Sequence, residues 1–308
     1  MSTTATEPTP APVPVDSPRS QASARRRLDP NRPSTLSRWG VIAILTLSAV
    51  YFLLPLWWMV MASIKPGGRQ FEEPGLWFNG FDFFGNVKAL LEINDGIFLR
   101  WMLNSIAYAG ISAVIGTLLS AMAGYALAKY RFRGRGLVFG IILAAVLIPK
   151  VMFTLPLFLM FNSVGLLNNP LAVILPSVVS PFGVYLARVF AAQSVPDEVI
   201  EAARIDGASE GKIFFRLGVP MMAPALVTIF LFQFVEVWNN YLLPLMVLND
   251  TSMQPVTVGL VGWAGSNGQQ APAGLIIVGA FLSVIPLVVA FLSLQRFWRA
   301  GLTAGAIK

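Results

Sequence analysis

Glu201-Ala202-Ala203-Arg204-Ile205-Asp206-Gly207, followed further along by Pro220, is a charged interruption between two long apolar segments of a 308-residue chain. What lies on either side of it decides the fold class. The chain is 56% hydrophobic and only 12% charged, with a mean hydropathy of +0.68, whereas soluble domains carry about a quarter charged residues. This is the composition of an all-α polytopic membrane protein, in which a loop this polar is more than a connector. The chain has no cysteine and no histidine. That excludes disulfides, thiolate chemistry, Cys/His metal sites and Ser-His-Asp catalysis. The net charge of +7 needs no nucleic acid to explain it, because cytoplasmic loops of bilayer proteins accumulate Lys and Arg.

A bilayer span takes about 20 apolar residues. Six stretches qualify: about Trp39–Ile64, Met102–Ala128, Leu137–Phe161, Leu171–Phe190, Met221–Leu248 and Ala273–Leu294. The fourth is interrupted by Pro176, Pro181 and Gly183, and Pro149 and Pro156 suggest a broken helix in the third. The predicted organisation is a disordered N-terminal tail over 1–38, a first transmembrane helix over 39–64 and an extracytoplasmic loop over 65–100. A five-helix core follows over 101–296, containing a polar loop at 194–220, and a C-terminal tail over 297–308. The tail at 1–38 is too polar for a signal peptide and too poor in large apolar side chains to offset its ordering entropy. With the N-terminus inside, 17 of the 22 Lys and Arg fall on the inner face. The rule that positive charge stays inside then predicts both termini in the cytoplasm.

Within the polar loop, Ser194 is placed to cap a helix and Pro196 to occupy its first turn. Asp197 and Glu198 sit where the helix dipole favours negative charge. Gly207 allows a sharp turn. A second amphipathic stretch carries Ile213, Phe214, Phe215 and Leu217, and Pro220 marks the start of the fifth span. From the residues alone, such a helix–turn–helix either lies on lipid headgroups or docks a partner. Gly207-Ala208-Ser209-Glu210-Gly211-Lys212 is not a phosphate loop, which needs four residues between its glycines and Ser or Thr after Lys. Here three intervene and Ile213 follows. In the second span, Ser112, Gly116, Ser120 and Gly124 form a small-residue stripe that lets another helix approach, either within this subunit or from a sister subunit; Gly279 and Ser283 do the same in the sixth.

Glu201-Ala202-Ala203, then Gly207, then Pro220, resembles the EAA motif of ABC importer permeases. The variant Ile205-Asp206-Gly207-Ala208 is similar to the carbohydrate branch of that family. So are Trp238-Asn239-Asn240-Tyr241-Leu242-Leu243-Pro244-Leu245 and the tail Gly301-Leu302-Thr303-Ala304-Gly305-Ala306-Ile307-Lys308, which is similar to that of MalG-like permeases. The resemblance spans about residues 40–308. It implies the type I importer permease fold with six helices. The chain would be a subunit in the bacterial inner membrane that forms half of the pathway for a di- or oligosaccharide and binds no cofactor of its own. ATP and Mg would be used by two separate ATP-binding cassette subunits. The other partners implied are a homologous second permease and an extracytoplasmic sugar-binding protein or lipoprotein. Glu201, Ala202, Ala203, Asp206, Gly207 and Pro220 would couple to the ATPase, and Gly301, Leu302, Thr303 and Gly305 would contact it from the tail.

For the pathway itself, the fifth span offers Gln233, Glu236, Trp238, Asn239, Asn240 and Tyr241. Polar groups inside a span need a cavity or a partner, and amides, a carboxylate and aromatic faces suit a polyol. The same residues serve equally well as helix-to-helix hydrogen bonds, or for Glu236 as an ion pair with a basic residue. Two other readings remain open, an importer permease for a non-sugar solute and an ion-coupled secondary transporter. The second expects intramembrane acidic relays and repeated halves, neither of which is visible.

Overall fold

The computed structural model describes residues 35–67, 75–266 and 268–304. The tail expected to be disordered falls outside these residues up to position 34, as does Gly305 of the C-terminal contact set. The chain divides into two units, Met1–Leu56 and Trp57–Lys308. The described part of the first is apolar helix with Trp39, Leu45, Tyr51 and Phe52 exposed, the surface that lipid rather than water would cover.

The elements are helical throughout the described residues. In order they are α1 (Thr35–Ile64), α2 (Phe83–Glu92), α3 (Ile97–Lys129), α4 (Arg135–Val146), α5 (Thr154–Ser163), α6 (Leu171–Ser177) and α7 (Pro181–Ser194). Then follow α8 (Asp197–Ile205), α9 (Glu210–Ile213), α10 (Val219–Met221), α11 (Ala223–Trp238), α12 (Leu242–Val247), α13 (Val256–Gly265) and α14 (Ala273–Ala304). By length and apolar composition, four stretches of helix can cross a membrane, and up to six if each of two bent pairs counts as one span.

The bends occur where the sequence breaks backbone hydrogen bonding. After α4 the chain turns by 95° before Lys150. Pro149 has no N–H to donate and pushes Ile148 away from helical angles. Between α6 and α7, Ser180 caps the new helix by accepting from the Gly183 amide at 3.1 Å, with Pro181 in its first turn. The fifth span departs from the expected Met221–Leu248. It bends by 80° near Met222 and its long helix stops at Trp238. There Asn239 turns its side chain back onto the Val235 carbonyl at 2.9 Å, which competes with continued helix. Besides the helices of the polar loop, two more lie outside the six expected stretches: α2, within the loop assigned to 65–100, and α13, an apolar helix of 10 residues too short to read as a span.

The second unit is built around α3, which packs against α7, α11 and α13. The small-residue stripe is the reason. Ser112, Gly116, Ser120 and Gly124 are all buried. A Cβ on Gly124 would lie 2.5 Å from the Ala187 Cβ, and one on Gly116 1.9 Å from the Gln233 side chain. The stripe is thus filled from within this chain, by α7 and α11. Across α4 and α7, the Arg188 guanidinium sits 3.7 Å over the Phe139 ring, a favourable cation–π geometry.

Candidate functional site: the polar loop and the cavity beyond it

Ser194 is the last residue of α7 rather than a cap on α8. Pro196 holds Val195 extended and itself occupies the N-cap position of α8, so the first-turn amides face Asp197 and Glu198 without a side-chain cap. The other end of α8 closes as the sequence predicts. Ala208 N–H donates to the Ala203 carbonyl and Gly207 N–H to that of Arg204, each at 3.0 Å, with Gly207 at φ +77°. This is a Schellman closure, which needs a left-handed residue at that position. Nothing lies within 4 Å of a Cβ built on Gly207, so the glycine is there for its backbone angle and not for space.

The loop is tied down by ionic contacts that sequence spacing could not reveal. Lys129, at the end of α3, donates to Asp197 Oδ1 at 2.7 Å; its side chain is only 6% exposed. The Arg204 guanidinium grips both Glu210 oxygens, Nε to Oε1 at 2.7 Å and Nη2 to Oε2 at 3.2 Å, and the Tyr130 hydroxyl donates to Oε2 at 2.7 Å. Ile200 and Ile213 are buried beneath. Together these contacts fasten α8 and α9 to the end of α3. Arg204 and then Tyr130 hold the Glu210 carboxyl below its ordinary value. Lys129 does the same to Asp197, and burial together with Glu210 pushes the Tyr130 phenol up to about 12.

The sign of these shifts fixes a pH dependence. A carboxylate lowered in the folded state stabilises above its unfolded pKa, and that stabilisation is lost as pH falls through the lowered value. With no histidine in the chain, loop protection measured by hydrogen exchange, normalised to the chemical rate, is expected to stay flat from pH 8 to 5. It should decline only below the usual carboxylate range near about 4, and Glu210→Gln should remove that protection at every pH.

Of the residues expected to couple, Glu201, Ala202, Asp206, Gly207 and Pro220 are exposed and Ala203 is half-buried. Glu201 lines a cleft of about 370 Å³ together with Lys129, Tyr130, Arg131, Asp197 and Arg204. Ile205, at the tip, is 87% exposed. An apolar side chain of that size, held out by a turn fixed on both sides, is a ready contact for another protein. Gly301, Leu302 and Thr303 continue α14.

The residues considered for a pathway separate in the fold. Gln233 is 2% exposed and donates to the Ser177 carbonyl at 2.7 Å, so it belongs to the helix interface. Trp238 is buried, stacked on Phe234 with centroids 5.7 Å apart. The Asn240 carbonyl accepts from Thr257, and Tyr241 is half-buried at the start of α12. Glu236 and Asn239 instead face a cavity of about 420 Å³, which Lys150, Ser180, Phe182 and Phe232 also line. Lys150 pairs with Glu236 across it. Of this neighbourhood the sequence marked only Pro149 and Pro156, on either side of Lys150.

Residues 116–302 match the family described as Binding-protein-dependent transport system inner membrane component. The chain is 32% identical to the arabinooligosaccharides transport system permease protein AraQ of Halalkalibacterium halodurans, over 90% of this chain and 99% of that one. It is also 32% identical to the trehalose transport system permease protein SugB of Mycobacterium tuberculosis, over 88% and 97% respectively. Among solved structures, it superposes at a TM-score of 0.72 and 25% identity on a chain of a bacterial ABC transporter involved in the import of the acidic polysaccharide alginate, covering 87% of this chain and 99% of that one.

Proposed function

Because the chain belongs to the family of inner membrane components of binding-protein-dependent transport systems, we infer that it is a permease subunit of an ATP-driven sugar importer in a bacterial inner membrane. It is a transport subunit and not an enzyme; hydrolysis falls to partner ATPase subunits. The observation that carries the coupling role is the Ile205 tip, 87% exposed on a helix closed by Gly207 and fastened by the Arg204–Glu210 pair. Glu201, Ala202, Ala203, Asp206 and Gly207 surround that tip and would form the rest of the docking face, with Pro220 at the bend behind it. Gly301, Leu302, Thr303 and Gly305 would add a tail contact. A homologous second permease completes the pathway, and an extracytoplasmic receptor delivers a di- or oligosaccharide. The sugar class is supported by relatives whose names specify arabinooligosaccharides and trehalose transport.

Two measurements test this. Ile205→Asp is expected to weaken association with the ATPase by about 2 kcal/mol, the scale of an interface hot spot, while Ile205→Met keeps it. Equal ATPase capture by both variants would move the docking face elsewhere. In proteoliposomes, the copurified assembly should take up a neutral sugar only with both receptor and ATP. Uptake driven by an ion gradient without the ATPase would establish a secondary transporter, and a receptor stabilised only by amino acids or metals would overturn the sugar assignment.

A further inference from the structure

The cavity lined by Lys150 and Glu236 lies where three chain breaks meet: the bend after α4, the gap between α6 and α7, and the end of α11. The distances from the polar loop agree. At 1.5 Å per residue, Pro181 is about 20 Å along α7 from Ser194, and Glu236 about 20 Å along α11 from Ala223. The two helices that carry the loop between them therefore both reach the cavity at their far ends.

Its chemistry is specific. One wall is aromatic, with Phe182 and Phe232 edge to face at 5.9 Å and both exposed. The other end is polar, with Lys150, Glu236, Asn239 and Ser180. Lys150 and Glu236 are the ionisable groups of this lining, and they pair, so the cavity carries no net charge. Both side chains stay about half exposed, at 54% and 47%. An ammonium has three donors and a carboxylate about four acceptor sites, so each keeps hydrogen-bonding capacity beyond the pair. The volume falls within the range of about 300–1,000 Å³ typical of small-molecule sites.

We propose that this cavity is a transit site for one ring of an uncharged sugar, with the Phe182–Phe232 wall taking an apolar ring face and the Lys150–Glu236 pair binding its hydroxyls. The pairing also sets the charge class. Neither a carboxylated nor an amino sugar finds a free counter-charge, and neutralising one partner leaves the charge of the other uncompensated in the cavity. This rests on the reading of the chain as a sugar permease and adds that this subunit itself touches the cargo.

The test uses the complete assembly with its receptor and ATPase in proteoliposomes, offered radiolabelled trehalose, lactose and arabinotriose. For whichever the unmodified assembly accumulates, Phe182→Ala and Glu236→Gln should each lower the amount taken up per ATP hydrolysed about tenfold. Half-saturation, set by the receptor, should move less than about twofold. The exchange Lys150→Glu with Glu236→Lys should restore most of the uptake that Glu236→Gln loses. Digalacturonate on the cytoplasmic face should inhibit Glu236→Gln and leave the unmodified assembly untouched. Full uptake per ATP by Phe182→Ala and Glu236→Gln overturns the proposal, as does an exchange no better than the single change, which would make the pair a structural tie. An unmodified assembly that accumulates none of these sugars overturns the sugar reading itself, a separate outcome.

Discussion

Gly207→Val is expected to abolish uptake while leaving the protein inserted and of normal abundance. The reason is confined to the backbone. At φ +77° an L-residue pays about 1–2 kcal/mol, and a β-branched one more, because its Cβ substituents crowd the carbonyl. The surroundings offer no steric objection, so the strain is relieved by opening the turn. That releases the two hydrogen bonds from Gly207 and Ala208 to the α8 carbonyls and swings Ile205 and Arg204 away from their places. The series should be graded: Gly207→Asn mild, since Asn tolerates the left-handed region, Gly207→Ala intermediate, Gly207→Val complete. The measurements are sugar uptake in vesicles and ATPase capture by the solubilised permease. Full uptake by the Val variant would remove the turn from the coupling mechanism.

Gly124→Val should fail differently, by loss of the folded permease itself. Gly124 lies within the last two turns of α3, with no unusual backbone angle, and faces α7 directly. A Cβ there would come within 2.5 Å of the Ala187 Cβ, 2.6 Å of the Arg188 amide nitrogen and 2.8 Å of the Ala187 carbonyl carbon. Backbone atoms cannot rotate out of the way as a side chain can, so α7 must move as a whole. Overpacking costs about 1–3 kcal/mol, and more where the backbone must yield. Gly124→Ala should lower the detergent-solubilised unfolding midpoint clearly and Gly124→Val should leave little assembled protein. Because α7 leads straight into α8, the Ala variant should also impair ATPase capture despite an unchanged loop sequence. A Gly124→Ala protein of normal stability would mean that the α3–α7 contact is looser than the structure has it. These two glycines are alike in the sequence and opposite in physics, one required for an angle and the other for the absence of an atom.

Much of the candidate site was legible because its signals are local. The Gly207 turn depends on the residues beside it, and the acidic first turn of α8 on the dipole of that one helix. The error at Ser194 was also local in origin. Ser is a good cap by type, but Pro196 forces the residue before it to be extended, and the cap position passes to the proline. The ion pairs that hold the loop were invisible for a different reason. Lys129 and Asp197 are 68 residues apart, and nothing in either neighbourhood names the other. In span five the sequence left the pathway and helix-packing uses open, because which face of α11 meets which neighbour depends on distant residues. Gln233 turned to the Ser177 carbonyl, Trp238 into the core and Glu236 to Lys150.

Composition by itself determined that the chain belongs in a lipid bilayer, since 12% charge cannot cover a water-exposed surface of this size. The arrangement of its residues determined where the helices break, where α8 turns, and which stripe of α3 admits a close neighbour, because prolines, glycines and small side chains act through local geometry. Only the tertiary structure decided which helices fill that stripe, that Ile205 stands out in the open, and that Lys150 and Glu236 meet across a cavity. Those outcomes depend on pairs of residues far apart in the chain, and what brings such residues together is the packing of whole helices, which no local stretch of sequence contains.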